Sequence, residues 1–140
     1  MTNQAIGYIA SHSFWGNSYL PQRIQNNLVR TYSENNDLSL IWSIPEVSIN
    51  YKETPALKNF LKNTPENVDS IIFISYQMNH PSIIINSISE ILNKSIKVHF
   101  VIENCSVSDL LELGNFKSEI RLSHLLSLNT ESPLLSQSSL

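Results

Sequence analysis

The chain has 140 residues, about the length of a single domain, and 41% of them are hydrophobic, which is enough for one core. Only 15% are charged, and nine basic against twelve acidic residues give a net charge of −3, which disfavours a broad basic surface for nucleic acid. One cysteine excludes an intrachain disulfide and a cysteine-based zinc site. The sequence has no apolar run of about 20 residues and no signal-peptide pattern, which predicts a cytoplasmic protein with no membrane span.

The first half of the chain predicts two strands, each followed by a helix. Residues 5–10 form a short apolar run with β-branched and aromatic members, which is typical of a buried strand, and residues 38–44 form a second one. A helix is predicted over 21–36, because it opens on a proline and apolar residues recur behind it at helical spacing. Thr54 followed by Pro55 predicts the start of the second helix, with a hydroxyl cap and a first-turn proline.

The second half continues the same alternation. Residues 68–75 are apolar on both faces, as expected for a central strand of a parallel sheet, and residues 96–102 predict a fourth strand. A helix over 82–93 lies between them. A fourth helix is predicted over 106–114, between a Ser–Asp capping pattern and a glycine, and residues 116–128 predict an amphipathic fifth helix.

Strands that alternate with helices indicate a parallel sheet covered on both faces. Right-handed crossovers between the strands favour the order 2-1-3-4. We therefore predict a three-layer α/β domain over residues 1–128, with a four-stranded parallel sheet that is flavodoxin-like or resolvase-like. Residues 129–140 predict a flexible tail, in which Leu134 and Leu135 could dock on a partner.

A ligand site is predicted at the carboxyl ends of the strands. Open parallel sheets bind ligands where the strand order reverses, and in the predicted order this point lies between the first and third strands. The loops 11–20 and 75–81 meet there, flanked by 45–53, which contains Glu46, and by 103–106.

Two residues of these loops are candidates for acid–base catalysis, and five residues of the loops and of the first turn of the first helix are candidates for ligand binding. Glu103 ends the fourth strand and His12 lies between two serines, so either could carry a proton. The alternatives are that Glu103 caps the next helix or pairs with a cation, and that His12 makes a loop hydrogen bond. Arg23, in the first turn of a helix, could hold a phosphate or carboxylate or be a surface arginine. The residues predicted to bind the ligand are Ser11, Gln22, Arg23, Gln77 and Asn104.

Other chemistry-bearing residues have structural interpretations that we favour. His80 precedes a proline and suits a helix cap, and His99 suits a buried, hydrogen-bonded position in a strand. Cys105 could be a reactive thiol if it precedes a helix N-terminus. His12, His80 and Glu103 could meet at a metal, but their spacing is not diagnostic and no metal is predicted. The glycine fingerprints GxGxxG and GxxxxGK[ST] are absent, so the cofactor stays unknown.

Four segments of the chain resemble a family of small bacterial proteins called sporadic carbohydrate cluster proteins. Within residues 6–113 they follow the family's order and similar spacing: GYI at 7–9, PQRIQN at 21–26, ISYQM at 74–78 and HFVIEN at 99–104. The resemblance implies a gene neighbourhood of lipopolysaccharide or capsule synthesis. It also implies an arginine close after the first strand, where this chain has Ser11 and His12, so that Arg23 would have to substitute for it.

The chain also resembles the catalytic domain of serine recombinases, the resolvases and invertases. The resemblance is carried by GYI at 7–9, a glutamine near the first helix, an acidic residue after the second strand and TPALKNFL at 54–61. Aligning GYI leaves Ala10 where the recombinase arginine belongs and His12 where its nucleophilic serine belongs, and the loop YQMNH lacks the expected arginine pair. We therefore interpret the resemblance as one of fold and do not predict DNA strand exchange.

Together these observations predict a small protein of surface-carbohydrate biosynthesis that binds a sugar or nucleotide-sugar-like anion at the carboxyl edge of the sheet. Whether it is an enzyme is left open. The alternative is a non-catalytic homodimer or scaffold for a carbohydrate-modifying enzyme, since Leu125, Leu126 and Leu128 would suit an interface. A second alternative is a degenerate recombinase-like nucleic-acid module, which the acidic balance disfavours, so nucleic acid is not the expected partner.

Overall fold

A computed structural model describes residues 3–15, 18–48 and 52–130 of the chain. A 3₁₀ turn, Tyr76–Met78, follows the third strand. The predicted docking residues Leu134 and Leu135 lie outside the described residues. The predicted tail starts at residue 129, but positions 129 and 130 are the last two residues of a helix. The strands and helices are β1 Gln4–Ala10, α1 Gln22–Asn35, β2 Ser39–Glu46, α2 Pro55–Lys62, β3 Ser70–Phe73, α3 Pro81–Asn93, β4 Lys97–Phe100, β5 Cys105–Val107 and α4 Leu110–Thr130.

The sheet has the strand order β2-β1-β3-β4-β5. The first four strands of the chain pair in parallel, in the predicted order 2-1-3-4. The sheet as a whole is nevertheless mixed, because β5 adds to its edge antiparallel to β4. The prediction of a four-stranded, all-parallel sheet therefore needs correction.

The fifth strand arises from a tight reversal after β4. The Asn104 N–H donates to the Val101 carbonyl at 3.1 Å, and Asn104 has a φ of +50°, a left-handed conformation that asparagine tolerates better than most residues. The chain thus turns back and Cys105–Val107 pairs with β4. Three residues are too few to show a strand periodicity, and the predicted helix start at Ser106 is wrong.

The last helix, α4, is one helix where the sequence predicted two. It begins directly after Asp109, whose Oδ1 accepts a hydrogen bond from the Glu112 N–H at 2.8 Å, and it continues through Gly114. A glycine inside a helix costs about 1 kcal/mol relative to alanine. Burial of Leu113 and Ile120 on either side offsets that cost, which the glycine alone did not reveal.

The helices lie in layers on the two faces of the sheet. The step from β1 to β2 crosses the sheet in one direction, and the steps from β2 to β3 and from β3 to β4 cross it in the other. Right-handed crossovers therefore place α1 on one face and both α2 and α3 on the opposite face. Helix α4 packs beside α3. Within the described part of the chain, no helix combines the length and apolarity needed to cross a membrane.

Two contacts fix β1 where the candidate site begins. At Gly7 a Cβ would lie 2.5 Å from Ser43 Oγ and 2.8 Å from Val29 Cγ1, so only glycine lets α1 pack this close to β1. The buried side chain of Gln25, in α1, accepts from the Ala10 N–H at 2.8 Å and donates to the Ala10 carbonyl at 2.7 Å. Gln25 thereby satisfies both backbone groups of the last residue of β1.

Candidate functional site

The predicted site residues all follow strands, or begin a helix, at one edge of the fold. This edge holds the carboxyl ends of the four parallel strands. Topology alone produces this gathering, and the contacts decide which side chains act together. The residues are Ser11 and His12 after β1, Gln22 and Arg23 at the start of α1, Gln77 after β3, and Glu103 and Asn104 after β4.

Glu103 and Ser75 form a carboxyl–hydroxyl pair between the ends of β3 and β4. The Ser75 hydroxyl donates to Glu103 Oε2 at 2.6 Å, and the Tyr76 N–H donates to Oε1 at 3.3 Å. Burial raises the pKa of Glu103 above its ordinary value, and these two hydrogen bonds oppose the shift. A partly buried carboxyl group with a raised pKa is suited to exchange a proton with a ligand.

Ser75 also connects Glu103 to Gln77. The Gln77 N–H donates to Ser75 Oγ at 3.0 Å, at the start of the 3₁₀ turn. The structure thus brings Gln77 and Glu103 to one shared hydroxyl. Arg23 and Asn104 are exposed at the same edge, and neither side chain is hydrogen-bonded to Glu103 within the described residues.

The point between β1 and β3 where the strand order reverses is filled by two rings from the loop after β1. His12 Nε2 lies 2.7 Å from the Met78 carbonyl oxygen, and Trp15 Nε1 donates to the Asn79 carbonyl at 2.7 Å. Because a carbonyl only accepts, Nε2 of His12 carries the proton. The ring is 4% exposed, and its Nδ1 has no partner among the described residues. This contact is the loop hydrogen bond that was the alternative to a catalytic role.

A fully buried carboxylate, Glu46, ends β2 at the same edge. It accepts from the Tyr8 hydroxyl at 2.6 Å, from the Ala56 N–H at 2.8 Å and from the Leu57 N–H at 3.1 Å. The Ser11 hydroxyl donates to the Glu46 backbone carbonyl at 3.2 Å. The carboxylate therefore occupies the N-terminus of α2, where free N–H groups would otherwise favour an anionic ligand.

Glu46 was expected in a flanking loop, and its role at the start of α2 was not predicted. The available signal was an acid shortly before a Thr–Pro helix start, but its partner Tyr8 lies 38 positions away in the chain. Burial, and then the charge of Glu46, raises the pKa of Tyr8, which keeps the phenol protonated as a donor. Asn79 Nδ2 lies 3.5 Å from the Tyr8 oxygen, so a run of polar contacts joins Trp15 to Glu46 across the edge.

Two other residues have the placement of structural groups. His80 Nδ1 accepts from the Ser82 N–H at 3.3 Å at the start of α3, which confirms the predicted helix cap. Cys105 lies in β5 and not before a helix, and burial followed by the charges of Glu103 and Glu119 raises its thiol pKa to about 11. The thiol is therefore protonated near neutral pH. Across residues 3–15, 18–48 and 52–130, no three potential metal ligands lie together.

A groove between α2 and α3 opens beside this edge. It has a volume of about 730 Å³, and its lining includes Thr54, Lys58 and Lys62 from one side and Asn86 and Glu90 from the other. None of the predicted site residues lines it. The edge and the groove are thus two separate surfaces.

His99, which was expected to be a buried and hydrogen-bonded strand residue, has that placement. The Tyr32 hydroxyl lies 2.9 Å from its Nδ1. Burial, and then the charge of Lys97, lowers the pKa of His99 from 6.5 to about 4. The His99 ring takes up a proton near pH 6.5 in the unfolded chain and only near pH 4 in the folded chain. The free energy of unfolding should therefore fall as the pH falls through this window.

We expect a variant without the titrating ring, His99→Phe, to lose less stability than the wild type when the pH is lowered from about 7 to about 5. The difference is at most about 1.4 kcal/mol per pH unit, the value of one proton. Urea denaturation at both pH values measures it. Parallel pH profiles for the two proteins would show that His99 does not titrate below its ordinary range.

The fold matches solved structures, although no protein-family model and no curated protein sequence matches the chain. The N-terminal catalytic domain of TP901-1 integrase matches with a TM-score of 0.65 at 11% identity, covering 92% of this chain and 99% of that chain. A resolvase-family site-specific recombinase from Streptococcus pneumoniae matches with a TM-score of 0.58 at 8% identity, covering 96% and 99%. At such identities the likeness shows a resolvase-like α/β fold and nothing further. It does not support membership of the sporadic carbohydrate cluster proteins. It also does not support the expectation that the partner is something other than nucleic acid.

Proposed function

We propose that the chain serves surface-carbohydrate biosynthesis by binding a sugar or nucleotide-sugar-like anion at the carboxyl edge of its sheet. The carbohydrate assignment rests on the resemblance of its segments 21–26, 74–78 and 99–104 to the sporadic carbohydrate cluster proteins. The site assignment rests on one observation: Glu103, a half-buried carboxyl with a raised pKa, is anchored by Ser75 between the ends of two neighbouring strands.

In this proposal each residue has a separate task. Glu103 exchanges a proton with a hydroxyl group of the ligand. Arg23 binds the phosphate or carboxylate, because its guanidinium and the N-terminus of α1 both favour a negative charge. Gln22, Gln77 and Asn104 bind hydroxyl groups. His12 offers only Nδ1, since its Nε2 is bonded to a carbonyl.

The proposal predicts that Arg23→Ala weakens binding of a nucleotide sugar about tenfold or more, the loss expected for one charge-assisted hydrogen bond. Thermal-shift titration with UDP-glucose and related nucleotide sugars measures it, because a ligand of the native state raises the Tm. Arg30→Ala is the matched control, since Arg30 is also exposed and lies two turns later on the same helix. Equal loss in both variants would indicate diffuse charge attraction, and no loss in either would remove Arg23 from the site.

A scaffold function is favoured by one observation on α4. Leu122, Leu125 and Leu126 are 59%, 58% and 56% exposed, and their spacing places them on one side of the helix. Exposed apolar stripes of this kind suit a protein interface. A dimer in light scattering that dissociates on Leu122→Ser and Leu125→Ser, together with no thermal shift by any nucleotide sugar, would favour the scaffold over the sugar-binding proposal.

A recombinase-like nucleic-acid module is favoured by the fold likeness alone. The recombinase names belong to the matching structures. At position 12, where the resemblance places a nucleophilic serine, this chain has a histidine bonded to the Met78 carbonyl. Retention of the chain on immobilised DNA that weakens with salt would support this alternative.

A further inference from the structure

A second cluster of polar side chains lies on the α1 face of the sheet, at the edge opposite to the candidate site. In the register of β3, β4 and β5, Ser70 pairs with Lys97 and His99 pairs with Ser106. Since side chains alternate between faces along a strand, these four residues share one face. Tyr32 of α1 bonds to His99, which identifies this face as the α1 face.

The opposite face of the same strands is apolar. Val98 and Phe100 in β4 are fully buried, and Phe100 stacks on Phe116 of α4. A polar row on one face and an apolar row on the other is not what a core between two helical layers requires. The polar row therefore borders a partly open space beside α1, where Lys97 is exposed, and not a closed core.

The polar row lines a cavity of about 360 Å³, a volume at the lower end of the range of about 300–1,000 Å³ that is usual for small-molecule sites. Asn36 directly after α1 and Leu38 before β2 complete its wall, with Asp69 directly before β3. The opening lies at the amino ends of the strands, so the cavity is distinct from the carboxyl edge.

His99 provides the strongest sign of a ligand. Its ring is 5% exposed and lines the cavity, and its Nε2 has no hydrogen-bond partner among the described residues. With the Tyr32 phenol assigned as the donor to Nδ1 at 2.9 Å, the proton of the neutral ring lies on Nε2. An N–H group that is buried and unpaired is costly, and an acceptor atom in the cavity would satisfy it.

The remaining groups of the cavity are mostly donors too. Lys97 supplies an ammonium group, and Ser70 and Ser106 supply hydroxyl groups. Asp69 is the acid in the lining, and its Oδ2 already accepts from the Gln4 N–H at 2.9 Å. The cavity therefore offers an ammonium group and hydroxyl groups that can donate, beside one carboxylate that accepts from the Gln4 N–H through one oxygen.

We propose that this cavity binds the oxyanion group, phosphate or carboxylate, of a small metabolite, with His99 Nε2–H, Lys97 and Ser106 as its donors. The site is separate from the carboxyl edge and does not depend on the function proposed above. Its ligand is defined by acceptor oxygens that are shared by phosphates and carboxylates. The experiment distinguishes these two sources.

The test is an NMR titration of the full chain with inorganic phosphate, with acetate and, as the reference for ionic strength, with sodium chloride. The proposal expects saturable shifts of the His99 ring nitrogens and the Ser106 amide with phosphate or with acetate, and none with chloride. The anion whose shifts saturate at the lower concentration identifies whether the cavity binds a phosphate or a carboxylate group. Absence of saturable shifts with both anions overturns the proposal.

Two variants and a control locate the binding. Lys97→Met should weaken it about tenfold or more, because a charge-assisted hydrogen bond is lost. Ser106→Val should abolish it, since valine suits a strand and fills the opening. Lys94→Met, at the exposed end of α3 and outside the cavity lining, should leave the affinity unchanged. Unchanged binding in a folded Lys97→Met protein would overturn the proposal even if Ser106→Val did not fold.

Discussion

Replacing Glu46 with alanine is expected to lower the free energy of unfolding by about 3 kcal/mol or more. Glu46 is fully buried, and its carboxylate accepts hydrogen bonds from the Tyr8 hydroxyl and from the backbone of Ala56 and Leu57. Alanine leaves these three donors without an acceptor, and each buried, unsatisfied donor costs about 1–3 kcal/mol. Urea denaturation followed by circular dichroism measures the loss.

Two companion variants separate the contributions to this effect. Tyr8→Phe removes one donor and leaves the two backbone hydrogen bonds, so it should cost less than Glu46→Ala. Glu66→Ala removes an exposed acid and should change stability by no more than about 0.5 kcal/mol. A Glu46→Ala protein as stable as Glu66→Ala would show that the carboxylate does not hold the start of α2.

Replacing Trp15 with alanine is the second substitution with a large expected effect, a loss of about 3–5 kcal/mol. The ring is 2% exposed, packs against Tyr76 and His124, and donates to the Asn79 carbonyl. Its removal opens a cavity at the point where the strand order reverses and unpairs a backbone carbonyl. The free energy of unfolding in urea again gives the measure.

The chain offers a matched control in its other tryptophan. Trp42 lies in the edge strand β2 and is 47% exposed, so Trp42→Ala should cost clearly less than Trp15→Ala. Trp15→Phe retains most of the ring but not the indole N–H, and should fall between them. Equal losses for Trp15→Ala and Trp42→Ala would contradict the closed contact between the loops after β1 and β3.

The parallel part of the sheet could be predicted because its signals are local or general. Each strand is a short apolar run, each intervening helix has its own periodicity, and right-handed crossovers then leave few orders. The fifth strand carried no such signal, since Cys105–Val107 is too short for a periodicity and depends on the left-handed turn at Asn104. Gly114 predicted the end of a helix, but contacts along α4 outweigh the local preference of glycine, and the helix continues.

The candidate site was predictable to the level of the sheet edge and not to its contacts. Topology places Glu103 and Gln77 at the same edge, but the Ser75 hydroxyl that joins them depends on the register of β3 and β4. From the sequence, Glu46 was expected in a loop, because its hydrogen-bond donors come from β1 and from the start of α2. Side-chain pairs of this kind depend on packing between distant segments, which periodicity does not report.

The claim on which the proposed function depends is that the carboxyl edge binds an anionic sugar. Amide NMR spectra recorded during titration with a panel of nucleotide sugars and sugar phosphates test it most directly. We predict saturable shifts at Arg23, Gln77 and Asn104 with at least one member of the panel. Shifts confined to the groove between α2 and α3 or to the cavity at His99, or no saturable shift with any member, would contradict the claim.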